Sequence, residues 1–351
     1  MHPERARGIA DAQAVARRRG DEIEQLDDTT GSVGGTHRCV PCTFIAVTAT
    51  QGLWPPIVRR SLRADRPERT TASREAGPIA TTGTLRADLE FALELADVAA
   101  AVTLAWFGAR LPVELKADAT PVTEVDRRAE RAIRDAIAER FPEDGVLGEE
   151  EGETHGTSDR RWVLDPVDGT KLYAEGIPLW TTLIALEVGG ETVLGVADAP
   201  ALGDRYHAHR GEGAWRGSSR LEVSDVAALD DSFVAHSGLE EWISPGDEDR
   251  LWRVASRARR TRGLSDAWAH LLVAQGSVEV LLEHEPCQRW DWAATEVIVE
   301  EAGGRITTLD GGAPAVGGDL LVSNGRVHDE VVDVLRARSA TLDGTTGREA
   351  T

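Results

Sequence analysis

The chain has 351 residues, of which 41% are hydrophobic and 28% are charged, and its formal net charge is −21. This length and composition are typical of one large globular domain or two smaller ones. An acidic surface repels nucleic-acid phosphates and anionic lipids, so neither nucleic acid nor a membrane is an expected partner. No apolar run approaches the roughly 18 residues of a spanning helix, and the N-terminus lacks the apolar segment of a secretory signal. These features predict a cytoplasmic protein.

The first 84 residues differ from the rest of the chain. They lack sustained helical or strand periodicity, and prolines and Thr/Gly runs interrupt them. This pattern predicts a disordered extension, or sequence upstream of a misassigned start. Cys39 and Cys42 form a CxxC pair here, but a zinc site needs about four ligands and no second pair follows. Residues 339–351 are predicted to form a disordered tail.

From Leu85 onward, helical and strand patterns alternate and predict a layered α+β domain over residues 85–338. We divide it into an N-terminal half, about 85–200, and a C-terminal half, about 201–338. The expected helices are 85–108, 123–141, 247–260, 266–276, 291–304 and 327–338. The expected strands are a short one within 143–150, then 161–165, a hairpin over 180–200, 231–237, 277–283, 305–310 and 319–324.

The central motif reads Asp165-Pro166-Val167-Asp168-Gly169-Thr170. Pro166 favours an extended conformation at Asp165, which predicts that the strand ends there and that a turn brings Asp168 back beside it. Two close carboxylates repel each other unless a cation lies between them, and hard oxygen ligands suit Mg²⁺. Gly169 lets backbone N–H groups approach an anion, and the Thr170 hydroxyl can orient a water. The same letters are also typical of an ordinary turn.

Other acidic residues accompany this motif. Glu149 and Glu150 follow an apolar run, Asp291 opens a helix in the position of an N-cap, and Asp126 lies near the start of another helix. Each of them alone is also compatible with a solvated surface acid or a plain cap. Only two of the 39 basic residues are lysines, Lys116 and Lys171, and both fall in this motif-rich part.

Taken together, Asp126, Glu149-Glu150, the 165–170 motif and Trp290-Asp291-Trp292-Ala293-Ala294 resemble the inositol monophosphatase superfamily. The resemblance covers residues 85–338. It implies a layered αβαβα sandwich, usually a homodimer, that hydrolyses small phosphate monoesters with two or three Mg²⁺ ions.

The resemblance also implies the metal ligands. Glu149, Asp165 and the Val167 carbonyl hold one metal ion. Asp165, Asp168 and Asp291 hold a second one.

The catalytic roles follow in the same way from the resemblance. Glu149 and Thr170 position the attacking water, and Asp126 supports Thr170. The Gly169 and Thr170 N–H groups bind the phosphate. A non-catalytic metal- or ligand-binding protein on the same fold remains the alternative of another class.

The substrate expectation comes from a closer resemblance within the superfamily. Segments 116–127, 144–150 and 169–189 resemble the histidinol-phosphatase branch, which implies L-histidinol phosphate as the substrate. Lys171 follows the motif in this branch, but also in the branch that hydrolyses 3′-phosphoadenosine 5′-phosphate. Leu172-Tyr173 departs from the branch pattern, in which Asn-Phe is more usual. Inositol 1-phosphate is the third possible substrate.

A cationic substrate also needs carboxylates beyond those that hold metal. The chain offers several acidic candidates near the metal motif. The expected substrate contacts are Asp168, Asp266, Glu285 and Asp291, with Glu283 close by.

Overall fold

A computed structural model describes the chain from the first predicted helix to the last. The described residues are 82–108, 114–115, 121–122, 124–243, 247–264 and 266–337. They belong to one compact unit. The expectations for residues 1–81 and 338–351, and for Lys116, lie outside them, as does the side chain of Glu285.

Seven α-helices are described, most of them close to their predicted positions. They are α1 (Thr82–Trp106), α2 (Glu124–Arg140), α3 (Thr170–Ala174), α4 (Asp247–Ala255), α5 (Asp266–Ala274), α6 (Arg289–Glu301) and α7 (His328–Arg336).

Fifteen strands are described, and they form a two-stranded pair and two larger sheets. They are β1 (Glu114–Leu115), β2 (Pro121–Val122), β3 (Gly145–Gly148), β4 (Gly152–Thr154), β5 (Arg160–Asp168), β6 (Thr181–Val188), β7 (Glu191–Ala199), β8 (Asp204–His209), β9 (Ala214–Arg216), β10 (Ser219–Arg220), β11 (Phe233–His236), β12 (Arg260–Gly263), β13 (Val280–Cys287), β14 (Arg305–Thr307) and β15 (Gly318–Ser323).

The larger sheet has eight strands in the order β10-β9-β8-β7-β6-β5-β3-β4. Successive side chains of a strand point to opposite sides of the sheet. In the central strands β5, β6 and β7 nearly all side chains are buried, so both faces of the sheet are covered there. In β5, Trp162 and Leu164 pack into the cluster shared with α1 and α2, whereas Val163 packs into the cluster on the other side. The sheet is therefore buried between two layers.

Helices α5 and α6 form the middle layer, between the larger sheet and a five-stranded sheet of order β12-β11-β13-β15-β14. Helices α4 and α7 pack on the outer face of the five-stranded sheet through a separate apolar cluster. The sequence of layers is thus helix, sheet, helix, sheet, helix. This confirms the αβαβα sandwich.

One predicted helix is too long. The pattern over 247–260 predicts a single helix, but α4 ends at Ala255, and Arg260 begins the edge strand β12. Arg260, Thr261 and Arg262 pair in parallel register with β11, so strand pairing prevails over a local sequence that is compatible with a helix. None of the described helices is both long enough and apolar enough to cross a bilayer.

His328 provides a test of the outer layer. It is fully buried, and its ring nitrogens lie 3.0 Å from Thr307 Oγ1 and 2.7 Å from Ser323 Oγ. Burial, with a smaller contribution from Arg305, lowers the pKa of His328 to about 4. The unfolded chain takes up this proton at about pH 6.5, so folding stability falls as the pH drops from there towards about 4.

The expected loss from this group is up to about 3 kcal/mol, since one pKa unit corresponds to 1.36 kcal/mol. His328→Gln removes this contribution. Urea unfolding at pH 7 and pH 5 is the measurement, and the variant's stability should depend less on pH than that of the wild type. Equal pH dependence in the two chains would contradict the assignment.

Candidate active site

Asp165 and Asp168 lie at the end of β5, the central strand of the site. Both are buried. The Val167 N–H donates to Asp165 Oδ1 at 3.0 Å. Asp168 Oδ2 accepts from the Thr181 hydroxyl at 2.9 Å and from the Ala267 N–H at 3.0 Å. These bonds fix one oxygen of each carboxylate.

Pro166 predicts that the strand ends at Asp165, and this prediction is wrong. The strand continues to Asp168, and the pairing with β6 shifts register between these two residues. The Pro166 carbonyl accepts a bond from the Thr182 hydroxyl at 2.8 Å, so a side chain of β6 contacts the irregular stretch. A register shift within the strand, rather than a turn after it, therefore separates Asp165 from Asp168.

Gly169 and Thr170 connect β5 to the short helix α3. Gly169 has a φ of 82°, and a Cβ there would lie 3.3 Å from the Leu179 carbonyl oxygen, so a side chain would be both strained and crowded. The Thr170 hydroxyl donates to the Val167 carbonyl at 3.0 Å. Since this uses its only proton, the Thr170 oxygen is left as an acceptor towards a water.

Glu149 lies in a turn that a second, unpredicted carboxylate holds in place. The Glu149 N–H donates to the Leu164 carbonyl at 3.3 Å. The next two backbone N–H groups donate to the fully buried side chain of Glu130, at 2.8 and 3.0 Å. Glu130 therefore anchors this turn beside β5.

Gly148 makes this anchoring testable. A Cβ at position 148 would lie 2.2 Å from Glu130 Oε1. We expect Gly148→Ala to displace Glu149 and lower kcat at least about tenfold, because a misplacement of about 1 Å can cost a hundredfold. Phosphate release under saturating conditions is the measurement. Gly263→Ala is the control, since its Cβ would meet only an ordinary contact at 3.6 Å; equal effects of the two substitutions would contradict the role of Glu130.

Asp126 is fully buried in the first turn of α2, one helical turn before Glu130. Both acids lie on the face of α2 that packs inward with Val125, Ala129 and Ile133. Burial raises the pKa of Asp165 and of Tyr173, and the charge of Asp126 adds to both shifts. It is therefore within electrostatic reach of the β5 end, as expected for a group that supports the site.

Asp291 differs from its predicted position on the helix. The N-cap of α6 is Gln288, and Asp291 is the third helical residue. Its Oδ2 accepts from the Gln288 N–H, which completes a capping box. The sequence predicts Asp291 as the N-cap because Asp is a preferred N-cap residue, whereas Gln is an uncommon one.

Burial and neighbouring charges raise the pKa of both carboxylates at the end of β5, Asp165 and Asp168. Burial, then the charges of Glu149, Asp168, Asp291 and Asp126, raise the pKa of Asp165 well above its ordinary value. Burial raises the pKa of Asp168 in the same way, followed by the charges of Asp266 and Asp291. The fold thus brings together the five predicted acids at one strand end.

Asp266 begins α5 with a φ of 59°, a left-handed conformation that Asp tolerates better than most residues. Burial and the charge of Glu283 raise the pKa of Asp266 to about 6, and Lys171 opposes this shift. Lys171 is exposed in the first turn of α3. Both residues therefore belong to the surroundings of the site.

Within the described part of the chain, no three His, Cys, Asp or Glu side chains already form a group that could hold a metal ion. The acids interact through space, while protein N–H and hydroxyl groups hold some of their oxygens. Their chemistry nevertheless fits a hard divalent cation, since all are oxygen donors whose mutual repulsion a cation would relieve.

Comparison with known proteins decides the family. The sequence model of the inositol monophosphatase family matches residues 85–340. The chain belongs to this family. Among its relatives in the family are a histidinol-phosphatase of Streptomyces coelicolor, 45% identical over 72% of this chain and 97% of that protein, and one of Mycobacterium tuberculosis, 42% identical over 71% and 98%.

Solved structures of the family share the fold. An inositol monophosphatase from Thermotoga maritima superimposes with a TM-score of 0.65 at 32% identity, covering 71% of this chain and 96% of that one. An extragenic suppressor protein from Bartonella henselae gives a TM-score of 0.67 at 29% identity, with 71% and 98% covered.

The sequence analysis did not predict three groups that contribute to the site. They are the Glu130 anchor, the Ala267 N–H and the Thr181 hydroxyl, all of which hold site acids or their turn. Only Glu130 left a signal in the sequence, as an acid one helical turn after Asp126 on an otherwise apolar helix face.

Proposed function

We propose that this protein is a Mg²⁺-dependent phosphomonoesterase that hydrolyses L-histidinol phosphate to L-histidinol and inorganic phosphate. The observation that carries the substrate is the set of three histidinol-phosphatases that are 42–45% identical over 91–98% of their own length. The buried acids at the β5 end support the type of reaction.

Glu149, Asp165, Asp168 and Asp291, with the Val167 carbonyl, are the residues that would hold two or three Mg²⁺ ions. Hard oxygen donors of this kind are the ligands that Mg²⁺ prefers. When bound, the metal lowers the pKa of water and neutralises charge on the phosphate.

The chain's own groups then orient the reactants. The Thr170 oxygen accepts a hydrogen bond from the attacking water, since its own proton is directed at the Val167 carbonyl. Glu149 takes the proton from that water at its carboxylate. Gly169, which has no side chain, lets the phosphate approach the N–H groups of Gly169 and Thr170. Asp126 is fully buried at the start of α2, and it supports Thr170 through its charge, since the only hydroxyl proton of Thr170 is directed at the Val167 carbonyl.

The substrate carries an ammonium group on the side away from its phosphate. Asp266 lies within electrostatic reach of Asp168 and of Glu283, so a cation bound there would be stabilised by more than one carboxylate. Glu285 of β13 is the second candidate contact. An adenosine bisphosphate carries additional negative charge instead, and this acidic surrounding disfavours it.

The test is a panel of histidinol phosphate, inositol 1-phosphate and adenosine 3′,5′-bisphosphate, assayed for phosphate release with and without Mg²⁺. We expect kcat/KM for histidinol phosphate to exceed the others at least about tenfold, the discrimination that one good charge pair provides. Comparable values for inositol 1-phosphate would make this a general inositol monophosphatase. If Mg²⁺ releases phosphate from none of them, the protein is a non-catalytic member of the family.

Asp266→Asn tests whether this carboxylate contacts the substrate. It should lower kcat/KM for histidinol phosphate more than for inositol 1-phosphate, since only the former offers an ammonium group.

The homodimer and the cytoplasmic location remain predictions, and sedimentation of the purified chain tests the first of them.

A further inference from the structure

A buried polar chain connects three elements directly behind the site. His270 of α5, Glu283 of β13 and Thr295 of α6 are all almost completely buried. His270 Nδ1 lies 2.8 Å from Thr295 Oγ1, and His270 Nε2 lies 2.8 Å from Glu283 Oε2. We call these three residues the His270 bridge. Neither the metal ligands nor the catalytic groups proposed above include its His or its Thr.

The hydrogen-bond direction in the bridge follows from the donors available. Thr295 Oγ1 donates to the Trp292 carbonyl at 3.2 Å, and a hydroxyl has only one proton. His270 Nδ1 must therefore carry a hydrogen and donate it to Thr295. Glu283 then shares a proton with His270 Nε2, since two lone pairs 2.8 Å apart would repel each other. Both ring nitrogens of His270 and the Thr295 hydroxyl thus have hydrogen-bond partners.

The bridge joins two helices at equivalent places. In α5, His270 lies four residues after Asp266, and in α6, Thr295 lies four residues after Asp291. Residues four apart lie on the same face of a helix, one turn from each other. The first turn of α5 also provides the Ala267 N–H that holds Asp168 Oδ2. Each helix therefore presents a site group one turn before the residue that forms the bridge.

We propose that His270 is a positioning residue that fixes the first turns of α5 and α6 relative to each other, and through them the separation of Asp168 and Asp291. The inference rests on the metal site of the proposed function. Groups that orient metal ligands without touching the metal typically contribute 10–100-fold to metal affinity. The His270 bridge lies one helical turn farther from the metal ligands than such groups do, so we expect a smaller effect on Mg²⁺ affinity.

Thr295→Val is the variant that tests the bridge, because it keeps the side-chain shape and removes the hydroxyl. The readout is the melting temperature of the full chain as a function of Mg²⁺ concentration, starting from metal-free protein. We expect the Mg²⁺ concentration for half-maximal stabilisation to rise at least about fivefold, below the typical range for closer partners. Thr295→Ser, which restores the hydroxyl, should return it to the wild-type value.

Thr307→Val is a closely matched control. Thr307 Oγ1 lies 3.0 Å from His328 Nε2 and donates to the Thr308 carbonyl at 2.7 Å, so it repeats the bonding of Thr295 in the outer layer, away from the site. Both valine variants should lose similar stability without metal, but only Thr295→Val should change the Mg²⁺ midpoint. Equal midpoints in the two variants would overturn the proposal. Thr295→Ala, which also removes the hydroxyl but adds no bulk at this buried position, provides a second variant should Thr295→Val fold poorly, and it should raise the midpoint as well.

The Mg²⁺ dependence of the melting temperature also separates a failure of the positioning role from a failure of the proposed phosphatase activity. A wild-type chain that releases no phosphate but gains stability from Mg²⁺ overturns the proposed function and leaves the bridge test intact. A wild-type chain that gains no stability from Mg²⁺ overturns the metal site, and the positioning role with it.

Discussion

Replacing Glu149 by Gln is expected to lower kcat at least about a hundredfold while the fold is retained. The substitution keeps the side-chain shape and removes the carboxylate that accepts the proton of the attacking water, a step that general bases typically accelerate 10²–10⁴-fold. The same change removes one charged metal ligand. The measurement is phosphate release from histidinol phosphate over a range of Mg²⁺ concentrations, with circular dichroism to verify the fold.

Glu151→Gln is the control for this experiment, since it lies two residues away in the same turn and pairs at the surface with Arg131. Exposed ion pairs contribute about 0–1 kcal/mol, so this variant should retain nearly full turnover. A Glu149→Gln enzyme with near wild-type kcat at saturating Mg²⁺ would refute the role of this carboxylate as the proton acceptor. A loss that high Mg²⁺ restores would assign Glu149 to metal binding alone.

Much of the fold could be read from periodicity. The amphipathic α2 and the apolar strands β5, β6 and β7 appear near their predicted positions, because a buried face requires apolar residues at fixed spacing. The boundaries were less accurate where pairing between distant segments decides the outcome. Strand β12 exists because it pairs with β11, and its own sequence, Arg-Thr-Arg-Gly, contains no apolar alternation.

The site was predictable to the extent that its motifs are local. The β5 motif, the Glu149 turn and the start of α6 are each a few residues long, and the fold brings their acids within electrostatic reach of one another. Groups that act through the backbone could not be predicted, because any residue type supplies an N–H. The Ala267 contact to Asp168 is such a case: it depends on the path of the chain into α5.

One departure from the histidinol-phosphatase pattern has a structural explanation. Tyr173, at a position where Phe is more usual, is buried in α3 against Phe107 and Trp180. Its hydroxyl donates to the Thr103 carbonyl of α1 at 2.7 Å. The additional oxygen thus has a hydrogen-bond partner within the protein, and this bond connects α3 to α1.

Repulsion between the acids at the end of β5 predicts that removing the Asp165 charge has opposite effects on stability and on activity. Because burial and four neighbouring acids raise the pKa of Asp165, its ionised form destabilises the metal-free fold. For such an acid, the stability penalty grows as the pH rises above the ordinary pKa of about 4. Asp165→Asn keeps an oxygen that can accept the Val167 N–H and removes the charge.

We therefore expect metal-free Asp165→Asn to be more stable than the wild type at pH 7, with a higher urea concentration at the unfolding midpoint. The same variant should lose Mg²⁺-induced stabilisation and at least about a thousandfold in kcat, because Asp165 is assigned to both metal ions and holds the transition-state charge through them. Asp144→Asn is the control of opposite sign. The Asp144 side chain is only 4% exposed and accepts from Arg160, Ser158 and Trp162, so its neutralisation should destabilise the chain. Urea unfolding of the metal-free proteins measures both effects, and a destabilised Asp165→Asn would contradict the repulsion on which the metal site is built.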